Sequence, residues 1–370
     1  MKILVTGGAG FIGSFLVDKL LEKGHKVTIY DNLEPQVHQG KRPTYLNKEA
    51  EFIKADICNG KTLDEALKGK DVVFHEAAMV GVGQSMYQVE KYTKVNTYGT
   101  AVLLDLIVNK HRHHIKKMVV AASMSEYGEG LYTCSKCGDL KPKLRQENDM
   151  KRGRWELFCP NCKRILKPKP TTEETPLECN SIYALNKRDQ EDMVLTVGKA
   201  FSIPAVALRY FNVYGPRQSL SNPYTGVAAI FISRIKAKKN PVIFEDGKQS
   251  RDFVSVHDIV NANIMAMNSD KADYNLFNIG SGNSISIASM AEKIIDVMGS
   301  KLNSNITNDF RKGDIRHCFA DISKARKILG WKPTVDFKKG MQELIEWSTT
   351  ADSKDYFDQA AKILKAKGVV

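Results

Sequence analysis

Gly7, Gly10 and Gly13 follow the apolar run KILVT (residues 2–6) and open the helically spaced stretch FLVDKLLEKG. Glycines there let the backbone turn tightly and approach a pyrophosphate, whose charge sits at a helix N-terminus. Asp31 ends the next apolar run, KVTIYD, 18 residues past Gly13. A carboxylate so placed accepts hydrogen bonds from a ribose diol and repels a 2′-phosphate, which selects NAD over NADP. Asp56 and Ile57, after a third such run, stand where an adenine edge is read. Tyr183 and Lys187 lie four residues apart in SIYALNKRDQEDMVLTVGKAF, so a helix presents both on one face. A free phenol with a pKa near 10 is a poor base at neutral pH. An ammonium one turn away and a positive nicotinamide ring both favour the phenolate. Lowering that pKa by ~3 units takes ~4 kcal/mol of differential interaction, within reach of two cations in a dry site.

A second constellation is Cys134-x2-Cys137 and, 21 residues on, Cys159-x2-Cys162. Two such knuckles offer four thiolates to tetrahedral Zn2+, and a closed four-cysteine set leaves no position open for catalysis. A structural zinc ribbon is expected, with a nucleic-acid grip or a lid over the site as weaker readings. Cys58, Cys179 and Cys318 have no visible partner, and KHRHH (110–114) reads as a solvated loop.

These groups need a scaffold, and the alternation of runs supplies one. Strand-like EFIKADI (51–57), DVVFHEAA (71–78), KKMVVAASM (116–124) and PAVALRYF (204–211) alternate with helical stretches. Repeated βα units with apolar strands predict an α/β doubly wound parallel sheet. The expected organisation is a Rossmann domain over 1–130 and 172–213 with part of 244–262, and an inserted zinc ribbon over 131–171. A smaller α+β lobe covers 214–243 and 263–350, followed by a C-terminal helix at 351–370. The 370 residues, 42% hydrophobic and 26% charged, suit a globular chain of about two domains. No apolar run nears the ~20 residues of a membrane span, and MKILVTGGAG leaves no room for a signal peptide, so a cytoplasmic protein is expected. Of the net charge of +13, residues 134–170 carry +7, from 11 Lys/Arg and 4 Asp/Glu. Nucleic acid is nevertheless not expected as a partner, because only Trp155 and Phe158 there could stack on bases.

The chain resembles the extended short-chain dehydrogenases/reductases, specifically the nucleotide-sugar epimerases and dehydratases. The resemblance rests on TGGAGFIGS (6–14), DNL (31–33), HEAA (75–78), VNTYGT (95–100), ASMSEYG (122–128), YALNK (183–187), RYFNVYGPRQ (209–218), RDFVSVHD (251–258) and RKGDIR (311–316). It implies that Ser123 hydrogen-bonds the reacting sugar oxygen, that Tyr183 is the base, and that Lys187 tunes it. It adds Phe11, Ile12, Asn32, Ala77, Ala78 and Asn96 as NAD-site residues. Ser125, Asn212, Arg217, Arg251 and Arg316 are implied as substrate ligands, the last two arginines and Asn212 at the diphosphate. Dehydratases of this kind carry an Asp-Glu pair where this chain has Met124 and Ser125, and Glu126 is displaced by one residue. If the strand continued, that shift would turn Glu126 to the opposite face. Elimination and decarboxylation are thus disfavoured. What the resemblance leaves is 4-epimerisation: oxidation at carbon 4, rotation of the 4-keto sugar, and re-reduction. DNLEPQVH (31–38), VGVGQSMY (80–87) and RQSLSNPYTGVAAIF (217–231) resemble a subgroup acting on dTDP-L-rhamnose-type sugars, with UDP-glucose/UDP-galactose as competitor. A 4-keto reductase and an NAD-sensing binding protein are the other readings. A homodimer through the Tyr183 helix is implied by resemblance.

Overall fold

A computed structural model describes residues 1–224 and 226–369. Thr225, inside the stretch 217–231, and Val370, at the end of the expected C-terminal helix, lie outside the described residues. The short Val/Ile/Ala-rich runs form β1 (Lys2–Thr6), β2 (Lys26–Asp31), β3 (Glu51–Lys54), β4 (Val72–His75), β5 (Lys117–Ser123), β6 (Ala205–Tyr210) and β7 (Asn275–Ile279). All pair in parallel, in the spatial order β7-β6-β5-β4-β1-β2-β3. Both faces are covered, which is why these strands are apolar throughout rather than alternating. Val5, Phe74 and Val119 pack with Leu16 of α1 (Phe11–Glu22) on one side. Leu4, Val73 and Val120 pack with Leu103 and Ile107 on the other.

Strand order reverses between β1 and β4, and a crevice opens at their carboxyl ends, the usual ligand position in such sheets. Thr6 at the end of β1 lies level with Tyr30 and His75 on its neighbours. A hydrogen bond of 2.8 Å joins Thr6 Oγ1 and His75 Nδ1 across that crevice floor. Gly7 then turns with φ +71°, where an added Cβ would lie 2.7 Å from the Ala77 nitrogen, so only glycine fits. Helix α1 begins at Gly10 with no side-chain cap. Its first N–H groups are therefore left to an anion. Helix α2 (Ile182–Phe201) is capped by Ser181, whose side chain accepts from the Ala184 N–H, and buries Tyr183, Ala184 and Lys187 on one face.

Residues 131–171 add no strand to this sheet among the described residues. Strands Leu131–Cys134, Gly138–Leu140 and Lys167–Lys169 form a separate antiparallel sheet with the first in the middle. Its core gathers Tyr132, Leu157 and Leu166 with Cys134 and Cys159, edged by Leu140 and Cys162. The remaining lobe gathers Phe231, Ile232, Ile243, Met290 and Leu344. Asp258 ties the lobe junction: its carboxylate accepts the Thr334 N–H at 2.8 Å and the Val335 N–H at 3.2 Å. One local expectation is corrected. KHRHH is not wholly a solvated loop, because His111 ends a helix, is buried, and pairs with Asp64 at 2.7 Å. Among the described residues no helix is long and apolar enough to cross a membrane.

Candidate active site

A cavity of about 590 Å³ occupies the crevice between the sheet's carboxyl edge and the smaller lobe. One end is walled by Gly7, Gly10, Phe11, Ile12 and Gly13. Asp31, Asn32, Ile57, Ala77 and Ala78 line it as well. The Asp31 carboxylate accepts the Ala9 N–H at 3.1 Å and the Leu33 N–H at 2.8 Å, which fixes its oxygens at the mouth of the glycine turn. Two expected NAD-site residues do not reach the cavity. Asp56 turns to the Cys58 N–H and the Asn32 amide, and is held below the usual carboxylate range by those hydrogen bonds against its burial. Asn96 is fully buried and clasps Met79, accepting its N–H at 2.7 Å and donating to its carbonyl at 3.1 Å. It shapes the loop after β4.

Ser123, Tyr183 and Lys187 share one wall of this cavity. Tyr183 is only 9% exposed. Burial pushes its phenol up to about 12, and a hydrogen bond to Ser123 opposes that rise. Lys187 Nζ donates to the Ala121 carbonyl at 2.8 Å. Burial draws its ammonium down to about 8, while the carboxylates of Glu76 and Glu126 work against the loss of charge. Glu76, in the HEAA stretch, received no role from sequence and proves to line the cavity. Its carboxyl accepts from the Tyr210 hydroxyl at 2.8 Å, and burial lifts it to about 7 despite that bond and nearby Lys187.

The turn after Ser123 corrects the strand-alternation argument about Glu126. Strand β5 ends at Ser123, and Met124–Tyr127 is a short 3₁₀ helix capped by Ser123. Ser125 therefore swings into the cavity, its Oγ donating to Ser123 Oγ at 2.9 Å. Glu126 instead is fully buried, accepting the Ser123 N–H at 2.8 Å and lying 3.4 Å from the Arg209 guanidinium.

Of the expected substrate ligands, Ser125, Asn212 and Arg251 line the cavity. The Asn212 Oδ1 is buried without a hydrogen-bond partner among the described residues. Two arginines are placed elsewhere. Arg217 pairs with Asp18 at 2.7 Å and stacks on Phe15 and Tyr45. Arg316 has no exposed surface and is saturated by Glu156, Glu245 and Asp246. Arg311, at the other end of the same RKGDIR stretch, lines the cavity in its place. The sequence did hold a signal: Arg311 belongs to the polar turn RKGD, whereas Arg316 opens the inward-facing run RHCFA. Among the described residues none of 131–171 lines the cavity, which gives no support to the lesser alternative of a lid there. The helix Phe357–Ala366 forms the mouth wall, with Phe357, Ala360, Ala361 and Leu364 lining it.

Cys134, Cys137, Cys159 and Cys162 converge away from the cavity, all four Sγ atoms within 4.8 Å of one another. The backbone N–H of Lys136, with that of Cys137, points at Cys134 and pulls its thiol down to about 6.

Comparison with known proteins agrees with this arrangement. Residues 3–147 match the model of the NAD dependent epimerase/dehydratase family, and residues 165–344 match the GDP-mannose 4,6 dehydratase model. A dTDP-L-rhamnose 4-epimerase of Burkholderia thailandensis is 35% identical over 349 residues, 94% of each chain. The UDP-glucose 4-epimerase of Thermotoga maritima, solved with UDP-glucose, superposes with a TM-score of 0.77 at 31% identity, covering 94% of this chain and 99% of that one. The UDP-glucuronic acid 4-epimerase of Bacillus cereus, solved with UDP-glucuronic acid and NAD, gives 0.78 at 28%, covering 94% and 99%. The chain is an enzyme of the NAD-dependent epimerase/dehydratase family.

Proposed function

We propose that the protein inverts carbon 4 of a nucleotide-diphosphate sugar, with a dTDP-L-rhamnose-type substrate favoured. The observation that carries this reading is the meeting of Ser123, Tyr183 and Lys187 on one wall of the cavity that begins at the uncapped N-terminus of α1. The residues present fit NAD: Gly7 and Gly13 have no room for a Cβ against the backbone, α1 offers free N–H groups, and Asp31 is held ready for a ribose diol. Bound NAD+ would accept the carbon-4 hydrogen and return it. Tyr183 would take the hydroxyl proton as phenolate, and Ser123 would hold the same oxygen. The phenol stands at about 12 with its protein neighbours, Lys187 among them, so the positive charge of a bound nicotinamide ring would have to bring it down further. Positions 124 and 125 carry no acid pair for eliminating water. The cavity would let the 4-keto sugar turn before the proton returns from Tyr183. Support for the deoxyhexose comes from the Burkholderia thailandensis relative, and support for UDP-glucose from the Thermotoga maritima complex.

The reading includes a structural Zn2+ on the four cysteines, which would make 131–171 a metal-held unit. Zn–S bonds of about 2.3 Å put tetrahedral sulfurs roughly 3.8 Å apart, and sulfurs all within 4.8 Å fit that set. It also includes a homodimer, for which Tyr98 and Leu185, 55% and 45% exposed on adjoining helices, offer apolar contact surface.

A panel of UDP- and dTDP-sugars, with products read by mass spectrometry and NMR, tests the activity. The expected result is a carbon-4 epimer of equal mass with no net change in NADH absorbance. Stoichiometric NADH consumption would replace epimerisation with reduction.

Glu76 provides a pH test of the same chemistry. Its negative charge favours the Lys187 ammonium, so removing it lowers the pH at which Lys187 loses its proton. Glu76→Gln should shift the alkaline limb of kcat/KM to lower pH, by about 0.5–1 unit for one nearby buried charge. An alkaline limb that stays put would detach Glu76 from Lys187.

A further inference from the structure

Arg145 comes from the 131–171 segment, yet its guanidinium is buried between two stretches that wall the cavity. It forms a bidentate pair with Glu245, at 2.7 Å and 2.8 Å, and donates to the Asp314 carbonyl at 2.9 Å. Its side chain is 2% exposed and that of Glu245 1%. Glu245 follows Phe244, and Asp314 lies three residues past Arg311, with Phe244, Arg311 and Asp314 all lining the cavity. The Arg311 guanidinium reaches Asp314 at 2.9 Å and lies 5.0 Å above the Phe244 ring, so the two stretches also lean on each other. Arg251 donates to the Ile315 and Arg316 carbonyls of the same loop. The two arginines in the cavity wall thus both take their places from loop 311–316. One peptide unit of that loop, and the left-handed backbone of Glu245 (φ 56°), are held by Arg145.

The surrounding charges make this clasp stiff. Glu129, Glu156, Glu245 and Asp246 gather around the guanidiniums of Arg145 and Arg316, with His317 3.8 Å from Glu156. Withdrawing Arg145 would leave Glu129 and Glu245 buried with less compensation, and the stretches would have to move to hydrate them. Glu156 and Arg145 both belong to the cysteine-bearing segment. That segment therefore meets the active site through ion pairs, without lining the cavity itself.

We propose that Arg145 is a positioning residue for the arginine-bearing wall that receives the substrate's diphosphate, and that presenting it is what the cysteine-held segment contributes to catalysis. This rests on the nucleotide-sugar reading. Two parallel N–H···O bonds plus a carbonyl contact use the planar fork of arginine, which lysine cannot reproduce. The effect falls on binding, because Ser123, Tyr183 and Lys187 stand on β5 and α2, which Arg145 does not touch.

The experiment titrates UDP and dTDP calorimetrically into wild type, Arg145→Met, Arg145→Lys and Glu245→Gln. It also measures kcat, KM and bound NAD on the epimerised sugar. Arg154→Met, an exposed arginine of the same segment, is the control. The expected result is nucleoside-diphosphate affinity weakened and KM raised about tenfold or more in Arg145→Met. NAD content and kcat at saturation should be retained, Arg145→Lys should be only partly restored, and Arg154→Met should match wild type. Glu245→Gln should weaken binding in the same direction, and it decides the matter if Arg145→Met does not fold. Unchanged UDP and dTDP affinity in these variants overturns the proposal alone. So does a loss of kcat, NAD and nucleotide together in proportion to melting temperature. A wild type that binds neither nucleotide overturns the nucleotide-sugar reading and this proposal with it.

Discussion

Tyr183→Phe should abolish most turnover, by about 10²–10⁴-fold, while the purified protein keeps its NAD. The substitution removes one oxygen from a side chain that is 9% exposed, and it leaves the ring that packs against Met79 and Tyr92. Stability should therefore change little, and the loss should appear in kcat. The reason lies in the inventory of bases at that wall. Lys187 is drawn down to about 8 but is bonded to the Ala121 carbonyl, and its charge is needed to stabilise a phenolate. Ser123 is a neutral hydroxyl already engaged by Ser125. Burial lifts Glu76 to about 7, but its carboxyl accepts from the Tyr210 hydroxyl. None of these is placed as Tyr183 is, on the cavity wall beside Ser123 and one helical turn from Lys187. Kinetics on the epimerised sugar, with bound NAD measured after denaturation, check the expectation. Near-normal kcat would mean that another group takes the proton and that Tyr183 only shapes the wall.

The parts of this molecule legible in its sequence are those governed by local rules. Parallel strands buried on both faces announce themselves as short apolar runs, so all seven sheet strands except β7 fall within or beside expected stretches. Gly7 and Gly13 were legible because a side chain at either would collide with backbone. Tyr183 and Lys187 were legible because helical spacing alone sets them side by side. Where direction depends on partners distant in sequence, reading by pattern failed. The resemblance implies Arg316 at a diphosphate, yet Glu156, Glu245 and Asp246 claim it from other elements. Arg217 went the same way, to Asp18 and Phe15 of α1. Glu126 points where it does because β5 stops at Ser123 and a 3₁₀ turn begins, a boundary of one residue that alternation cannot locate. Arg145 gave no signal in a stretch with 11 Lys/Arg, since what distinguishes it is burial alone.

The same contrast governs the four cysteines, and a single substitution there should have a large structural effect. Cys159 has no exposed surface and belongs to a core whose other buried members are Tyr132, Cys134, Leu157 and Leu166. Even with Met150 and Trp155, which are also buried, five apolar side chains besides cysteines are few for some forty residues, so such a segment needs a metal or a covalent staple. Four sulfurs all within 4.8 Å of one another match a tetrahedral ion. We therefore expect about one zinc per chain by elemental analysis in the wild type, and almost none in Cys159→Ser, because three remaining thiolates no longer close the site. Structural zinc in isolated finger peptides is bound with apparent free energies of about 10–16 kcal/mol, and binding there is folding. Losing a few kcal/mol of it should lower the melting temperature by on the order of 10 °C. The damage should be local first. Trypsin should cut within 134–170, where 11 Lys/Arg supply sites, while the seven-stranded sheet remains intact. Serine also leaves a hydroxyl in a pocket shaped for sulfur, so added zinc should not restore resistance, whereas zinc returned to chelated wild type should. Full trypsin resistance in zinc-free Cys159→Ser would show that docking against His317–Cys318 holds the segment unaided, through the bond from the Thr171 N–H to the Phe319 carbonyl at 2.8 Å.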